Sequence, residues 1–298
     1  MACLCAAGYG SARAAIAQQA APPPDGGGYE VRLTRPQKVG QLYRISATTH
    51  QLQFVSIVGP DGADNRRDEF YGVLEAGVRV LAVDARGQPT GLALSISKCA
   101  KKVRDTEKVL VPRDTIVTAS VKGDKSIFTI DGKPTDADTT MVLGMMVPLA
   151  GEHPTDDDIF GTRRRVKVGD QWPMNSDLAA SDLARDSPGL RKDDVSGTVT
   201  LAAAGKAGDA DVLEVAAEMT VRNVQPPAPR GVTVEKAGIQ TKFSGKYPVD
   251  PARLPIEMTH SENSRVLAKA QAVAKATTVA VETTTERTTT VAFTPPGR

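Results

Sequence analysis

The sequence predicts a mainly β protein: a long antiparallel curved sheet or partial barrel, in two repeated halves around one short central apolar helix. Three observations carry that expectation. Alternating apolar and polar residues dominate the chain from Tyr29 to Ile130 and again from Val195 onward, and period two marks strands with one buried face. Turn residues such as Pro60-Asp61-Gly62, Asp84-Ala85-Arg86-Gly87 and Lys122-Gly123-Asp124-Lys125 separate the runs, as hairpins require. One short phrase also occurs twice. Lys38-Val39-Gly40-Gln41-Leu42-Tyr43 returns as Lys167-Val168-Gly169-Asp170-Gln171-Trp172, and Phe70-Tyr71-Gly72-Val73-Leu74 is echoed by Val195-Ser196-Gly197-Thr198-Val199 at nearly the same offset. Such self-similarity argues for two similar halves, with boundaries at 29–152 and 153–298.

Residues 1–28 stand apart. Residues 2–17 are rich in Ala and end in Ala15-Ile16-Ala17, an A-x-A cleavage pattern, and Gln18–Gly28 is rich in Pro and Gly. The pattern is incomplete: no basic residue precedes Cys3, and Gly8, Gly10, Ser11 and Arg13 interrupt the apolar core. The expectation is a secretory leader whose start lies upstream of Met1, a mature chain beginning near Gln18, and an extracytoplasmic location in the periplasm or cell envelope. An Ala-rich disordered cytoplasmic tail is the alternative. No other segment reaches the ~20 apolar residues of a membrane-spanning helix.

In the first half, Tyr43, Ile45 and Ala47 alternate with Arg44, Ser46 and Thr48, and Leu52 and Phe54 continue the pattern. Val78–Val83 and Leu92–Ser97 form a hairpin across Asp84–Gly87, and Ile116–Val121 and Ser126–Ile130 form another; Asp131-Gly132-Lys133-Pro134 closes the half. The period then changes. Thr135 and Asp138 stand as a helix cap and its acidic partner ahead of Met141, Met145 and Leu149 at i, i+4 and i+8, with Val142 and Met146 in a parallel row. Gly144 and Pro148 keep this helix short. It plugs the curved sheet, its methionines filling gaps; where the concavity stays open, Met141, Val142, Met145 and Met146 form the wall of a ligand site.

In the second half, Asp156-Asp157-Asp158 and Arg163-Arg164-Arg165 read as a solvated, self-compensating loop. Residues 176–194 form a polar loop. Strands follow at Val195–Leu201, Val212–Val224, Ile239–Tyr247, Ile256–Leu267 and Thr277–Phe293, with Ala268–Ala276 continued as strand. Trp172 takes the place of Tyr43 in the repeated phrase and anchors its strand after a tight Gly turn, or else gates a cavity.

The chemistry is sparse. Lys and Arg number 37 against 35 Asp and Glu, so no electrostatic attraction to nucleic acid is expected. Three cysteines and three histidines show no metal-ligand spacing, and Cys99 reads as a small, partly buried side chain. The Asp triplet lacks the alternate spacing and turn Gly of a calcium loop. No Gly-rich loop precedes a helix as phosphate binding demands, and no cofactor is expected. His153 is the histidine with carboxylates near it in sequence, and Asp156 or Asp158 would orient it as a general base; a nucleophile elbow is missing.

The stretch Phe160-Gly161-Thr162-Arg163-Arg164-Arg165-Val166-Lys167-Val168-Gly169-Asp170-Gln171-Trp172-Pro173 resembles the V-x-V-G-D-x-W phrase of uncharacterised secreted bacterial envelope proteins of planctomycete type. The order of elements is similar to the curved half-barrel of the LolA and LppX lipoprotein-carrier class. The resemblance implies an envelope location and an apolar-ligand cavity. It carries over no catalytic or binding residue, and the missing lipobox around Cys5 departs from the lipid-anchored members.

The expected function is therefore that of a secreted, non-enzymatic envelope protein. Its concave face holds a lipid or other apolar or amphipathic ligand beside Met141, Val142, Met145 and Met146, or serves another envelope protein as a scaffold. A hydrolase using His153 with the Asp156–Asp158 loop is the rival from a different class.

Overall fold

The structure, a computed structural model, describes residues 27–60, 62–123, 125–151, 153–185, 187, 189–226, 228, 231–272 and 277–296. The leader, with Cys3 and Cys5, lies outside the described residues except for its last two positions, as does the end of the strand expected over Ala268–Ala276.

The described residues are 60% strand and 10% helix, arranged as one large, curved, open antiparallel sheet of 13 strands. In chain order these are β1 (Leu42–Gly59), β2 (Gly62–Val83), β3 (Pro89–Val103), β4 (Thr106–Val109), β5 (Ile116–Lys122), β6 (Lys125–Ile130) and β7 (Lys133–Pro134). Helices α1 (Ala137–Met146) and α2 (Asp156–Phe160), β8 (Gln171–Pro173) and helix α3 (Ser176–Leu183) follow. The chain ends with β9 (Val195–Ala207), β10 (Ala210–Arg222), β11 (Val232–Pro248), β12 (Glu257–Ala272) and β13 (Thr277–Thr294). The spatial order is β7-β6-β5-β3-β2-β1-β13-β12-β11-β10-β9-β8, with β4 on β3. Two meanders thus meet where the first long strand pairs the last, from Arg44↔Thr294 to Val58↔Ala280. The segment between β7 and β8 must carry the chain from one edge of the sheet to the other. It does so across the inner face, where α1 packs on β1, β2, β6 and β13.

Alternation explains which face is inner. In β1, Tyr43, Ile45, Ala47 and Thr49 are buried and the residues between them exposed. Register keeps the faces in step: Ile45 lies opposite Phe293 and Ala76, and Ala47 opposite Leu74. Two cores result. One holds Tyr43, Leu74, Leu94, Val117, Phe128, Val142 and Met146; the other holds Tyr29, Val31, Leu33, Trp172, Val199, Leu201, Leu213 and Tyr247.

The two V-G phrases form the same turn. Gly40 and Gly169 both have positive φ, at 85° and 91°, a region glycine enters without steric cost. Gln41 N donates to Lys38 O and Asp170 N to Lys167 O, each at 3.0 Å, and the following strand contact repeats as well (Gly40 N to Val80 O, Gly169 N to Leu201 O). Tyr43 then faces Val78, and Trp172 faces Val199.

The second echo is corrected here. The counterpart of Val199 is Val78 and not Leu74, because a period-two pattern matches itself under any even shift. The strands after the two turns also differ in length, since β8 stops at Pro173, which cannot donate to a ladder.

Four further expectations are corrected. The Asp156–Asp158 triplet is not a loop but the first turn of α2. Thr155 caps it in a reciprocal capping box with Asp158, and carboxylates favour a helix N-terminus. Its partners are not Arg163–Arg165: Asp157 accepts from Leu33 N at 2.7 Å and Thr34 N at 3.2 Å, and Asp158 lies 3.8 Å from Arg86. Within the polar loop expected over 176–194, α3 forms because Asn175 caps it and Ala179 and Ala180 bury its inner side. The cap of α1 is Asp136, which accepts from Thr139 N at 2.7 Å, while Asp138 pairs with Lys101 and Lys108 at 2.9 and 3.2 Å. Cys99 is more deeply placed than expected, at 1% exposure. Burial pushes its thiol up to about 11, which keeps it an inert thiol at neutral pH.

Helix α1 reaches the sheet at Gly72. A Cβ there would stand 2.8 Å from Thr49 Cγ2 and 3.2 Å from Val142 Cγ1. Gly72→Val is expected to lose about 1–3 kcal/mol, the usual cost of overpacking, read as a lower urea midpoint. An unchanged midpoint would mean that the helix does not rest on this glycine.

Candidate functional site

A cleft opens on the inner face between the two cores, and one extended segment builds most of its polar side. From Tyr29 to Gln37 every second residue is buried: Tyr29, Val31, Leu33, Arg35 and Gln37. The first three fill the second core. The same alternation carries Arg35 and Gln37 inward, at 5% and 9% exposure, although neither is apolar. Buried polar groups need partners, and Arg35 finds some. Its Nη1 donates to Asp250 O at 3.0 Å, and its Nη2 donates to Arg32 O and Pro248 O, each at 2.8 Å. Its guanidinium carbon lies 5.4 Å from the centre of the Tyr247 ring, within cation–π range. Arg35 Nε, Gln37 Oε1 and Gln88 Nε2 have no partner.

These three residues line a half-open cavity of about 340 Å³ with Leu149, Leu254, Met258 and Phe293 on its apolar side. Leu149 arrives just beyond the end of α1, Leu254 from the loop before β12, and Met258 and Phe293 from β12 and β13. A cavity of this size with a few convergent polar groups has the form of a small-molecule site.

The expected site residues divide. Val142 and Met146 are 0% and 1% exposed in the first core and present no surface to a ligand, because α1 plugs the concavity over that half. Met141 and Met145 are half-buried against the same core, and Thr49 Oγ1 lies 3.9 Å from Met145 Sδ. Their row continues to Leu149, which does line the cleft.

His153 also lines it, but neither Asp156 nor Asp158 orients it. Its Nδ1 lies 2.7 Å from Asp182 Oδ1 of α3. The carboxyl of Asp158 is held below the usual range by hydrogen bonds from Thr155. No serine or cysteine is among the described lining residues.

Elsewhere, His50 stacks on Tyr71 at 4.2 Å and meets Glu69 at 2.9 Å. His260 sits on the inner face near the Arg287–Glu262 pair, its pKa lowered mainly by burial. Trp172 is 4% exposed and anchors the second core instead of lining the cleft.

Asp156 is the unusual carboxylate. It keeps exposed surface in the cleft, yet protein walls surround it. Burial, and then the charge of Asp157, pushes its pKa up to about 6. An unfolded aspartate titrates near pH ~3.9, so the native state holds this proton longer and stability falls as pH rises from about 4 to about 6. Asp156→Asn is expected to raise the Tm at pH 7 and leave it unchanged near pH 4. Equal shifts at both pH values would remove titration as the cause.

No protein-family model and no curated protein matches the chain. Solved structures show distant likeness. Lipovitellin, in a structure titled for its lipid–protein interactions, matches at 10% identity and TM-score 0.37, over 88% of this chain and 26% of that one. The outer membrane protein OprG of Pseudomonas aeruginosa matches at 6% and 0.17, over 88% and 99%. A TodX monoaromatic hydrocarbon channel mutant matches at 8% and 0.20, over 87% and 91%. This chain thus spans about a quarter of the lipovitellin chain. Likeness at these scores assigns no function. No helix among the described residues is long and apolar enough to cross a membrane.

Proposed function

We propose that this is a non-enzymatic β-sheet protein that holds an apolar or amphipathic molecule in the cleft between its two cores. The observation that carries the reading is the cleft itself. It is half open, and its Leu149, Leu254, Met258 and Phe293 wall continues into the half-buried Met141 and Met145 row. Aliphatic and thioether side chains adapt to ligands of irregular shape, so selectivity for tail structure should be low.

A ligand that binds only the folded state must raise its stability. Medium-chain amphiphiles are therefore expected to raise the Tm of the wild-type protein in proportion to log concentration. Leu254→Asp, at a loop position that is only half-buried, should remove the rise. If no chain length shifts the Tm, the cleft is not a ligand site.

The second reading, a scaffold for another envelope protein, has its own support. The β1–β2 hairpin exposes Phe54 and Val58 on its outer face, at 42% and 51%, two apolar side chains that a partner could cover.

Two narrower points belong to the same proposal. The chain is a tandem duplication, supported by the matching turns at Gly40 and Gly169. It also works outside the cytoplasm, supported by Ala15-Ile16-Ala17 and by the V-G-D-x-W phrase. Intact Met1 on native cytoplasmic protein would overturn the second point.

A further inference from the structure

Building on the ligand-binding reading above, we infer that the ligand carries a carboxylate, received by Arg35 and Gln88 at the polar end of the cleft. Arg35 is a buried cation without a direct counter-charge. All three of its hydrogen bonds go to backbone carbonyls, and no ion pair joins it to a carboxylate among the described residues. Asp157 and Asp250 act on it at longer range, and the Asp157 oxygens are occupied by Leu33 N and Thr34 N. Taking a charge out of water is costly unless it is paired, so the site favours an anion.

The unpartnered atoms narrow the class. Arg35 Nε and Gln88 Nε2 are both donors, and a carboxylate offers two acceptor oxygens. Both Nη atoms already donate to backbone carbonyls, so what the guanidinium offers the head is its Nε–H. A single-oxygen contact plus a neutral amide suits a singly charged head. Asp156 lines the same cleft, but its charge acts on Tyr247 and is not among those that act on Arg35. The apolar wall then receives the tail.

Octanoate, octanol and octylamine share a tail and differ in the head. Calorimetric titration and thermal shift are expected to show octanoate binding at least tenfold more tightly than octanol, with octylamine weakest. Arg35→Gln should bring octanoate down to the octanol value. As that residue also holds backbone, Gln88→Leu provides the second variant: octanoate should weaken about tenfold, with octanol unchanged. Octanoate and octanol binding alike, in the wild type or with no change in Gln88→Leu, would overturn the carboxylate while leaving the apolar cleft in place. Binding by none of the three would mean that ordered water alone fills the cleft, and would overturn both readings.

Discussion

Trp172→Ala is expected to cost about 3–5 kcal/mol of stability, the range for removing a large buried aromatic. Trp172 is 4% exposed and lies opposite Val199, itself 0% exposed, in the short β8–β9 pairing. It packs in the core that includes Val166, Met174, Ala179 and Leu201, and its indole N–H donates to Phe160 O at 2.9 Å. The substitution would leave a cavity and an unpaired carbonyl at the end of α2. Both penalties fall where β8 has only three residues to hold it. Urea denaturation should show a lower midpoint with little change in slope. A loss below about 1 kcal/mol would mean that the second core collapses around the gap, against the rigidity expected of close-packed interiors.

Arg35→Leu is expected to cost about 3 kcal/mol or more. Hydrogen bonds to a charged group contribute about 1.5–3 kcal/mol each, though not additively, and leucine would strand the carbonyls of Arg32, Pro248 and Asp250 that the guanidinium now joins. Residues 29–37 have one isolated bridge, Tyr29 to Val166, in place of a strand ladder. Arg35 therefore ties this segment to the β11–β12 connection. Limited proteolysis should show faster cleavage near Arg32 in the variant, alongside a lower urea midpoint. Stability equal to wild type would show that Tyr29, Val31 and Leu33 and the hydrogen bonds to Asp157 hold the segment without Arg35.

Much of this was legible in the residues. Alternation over Tyr43–Thr48 and Val78–Val83 identified strands, and the Met141, Met145 and Leu149 spacing identified the central helix; both patterns are local. The same logic applied to Tyr29–Gln37 would have exposed the cleft. Strict alternation places Arg35 and Gln37 on the side of Val31 and Leu33, and a polar residue at an apolar position of such a pattern signals a buried polar site. The helical rows of α1 were clear, but which row meets the core depends on how the helix lies on the sheet. That is why Val142 and Met146 are buried while Leu149 lines the cleft.

The sequence by itself determined the strands, the central helix and the two glycine turns, because steric limits on φ and the pleat act over a few residues. Only the tertiary structure decided the rest. The pairing of β1 with β13 joins residues at opposite ends of the chain, and the register of β2 against β1 was hidden by a pattern that repeats every two residues. The partner of His153 proved to be Asp182, and the cleft assembles side chains from Leu33 to Phe293. Contacts between residues so far apart depend on which faces meet when apolar area is buried, and local spacing carries no information about that.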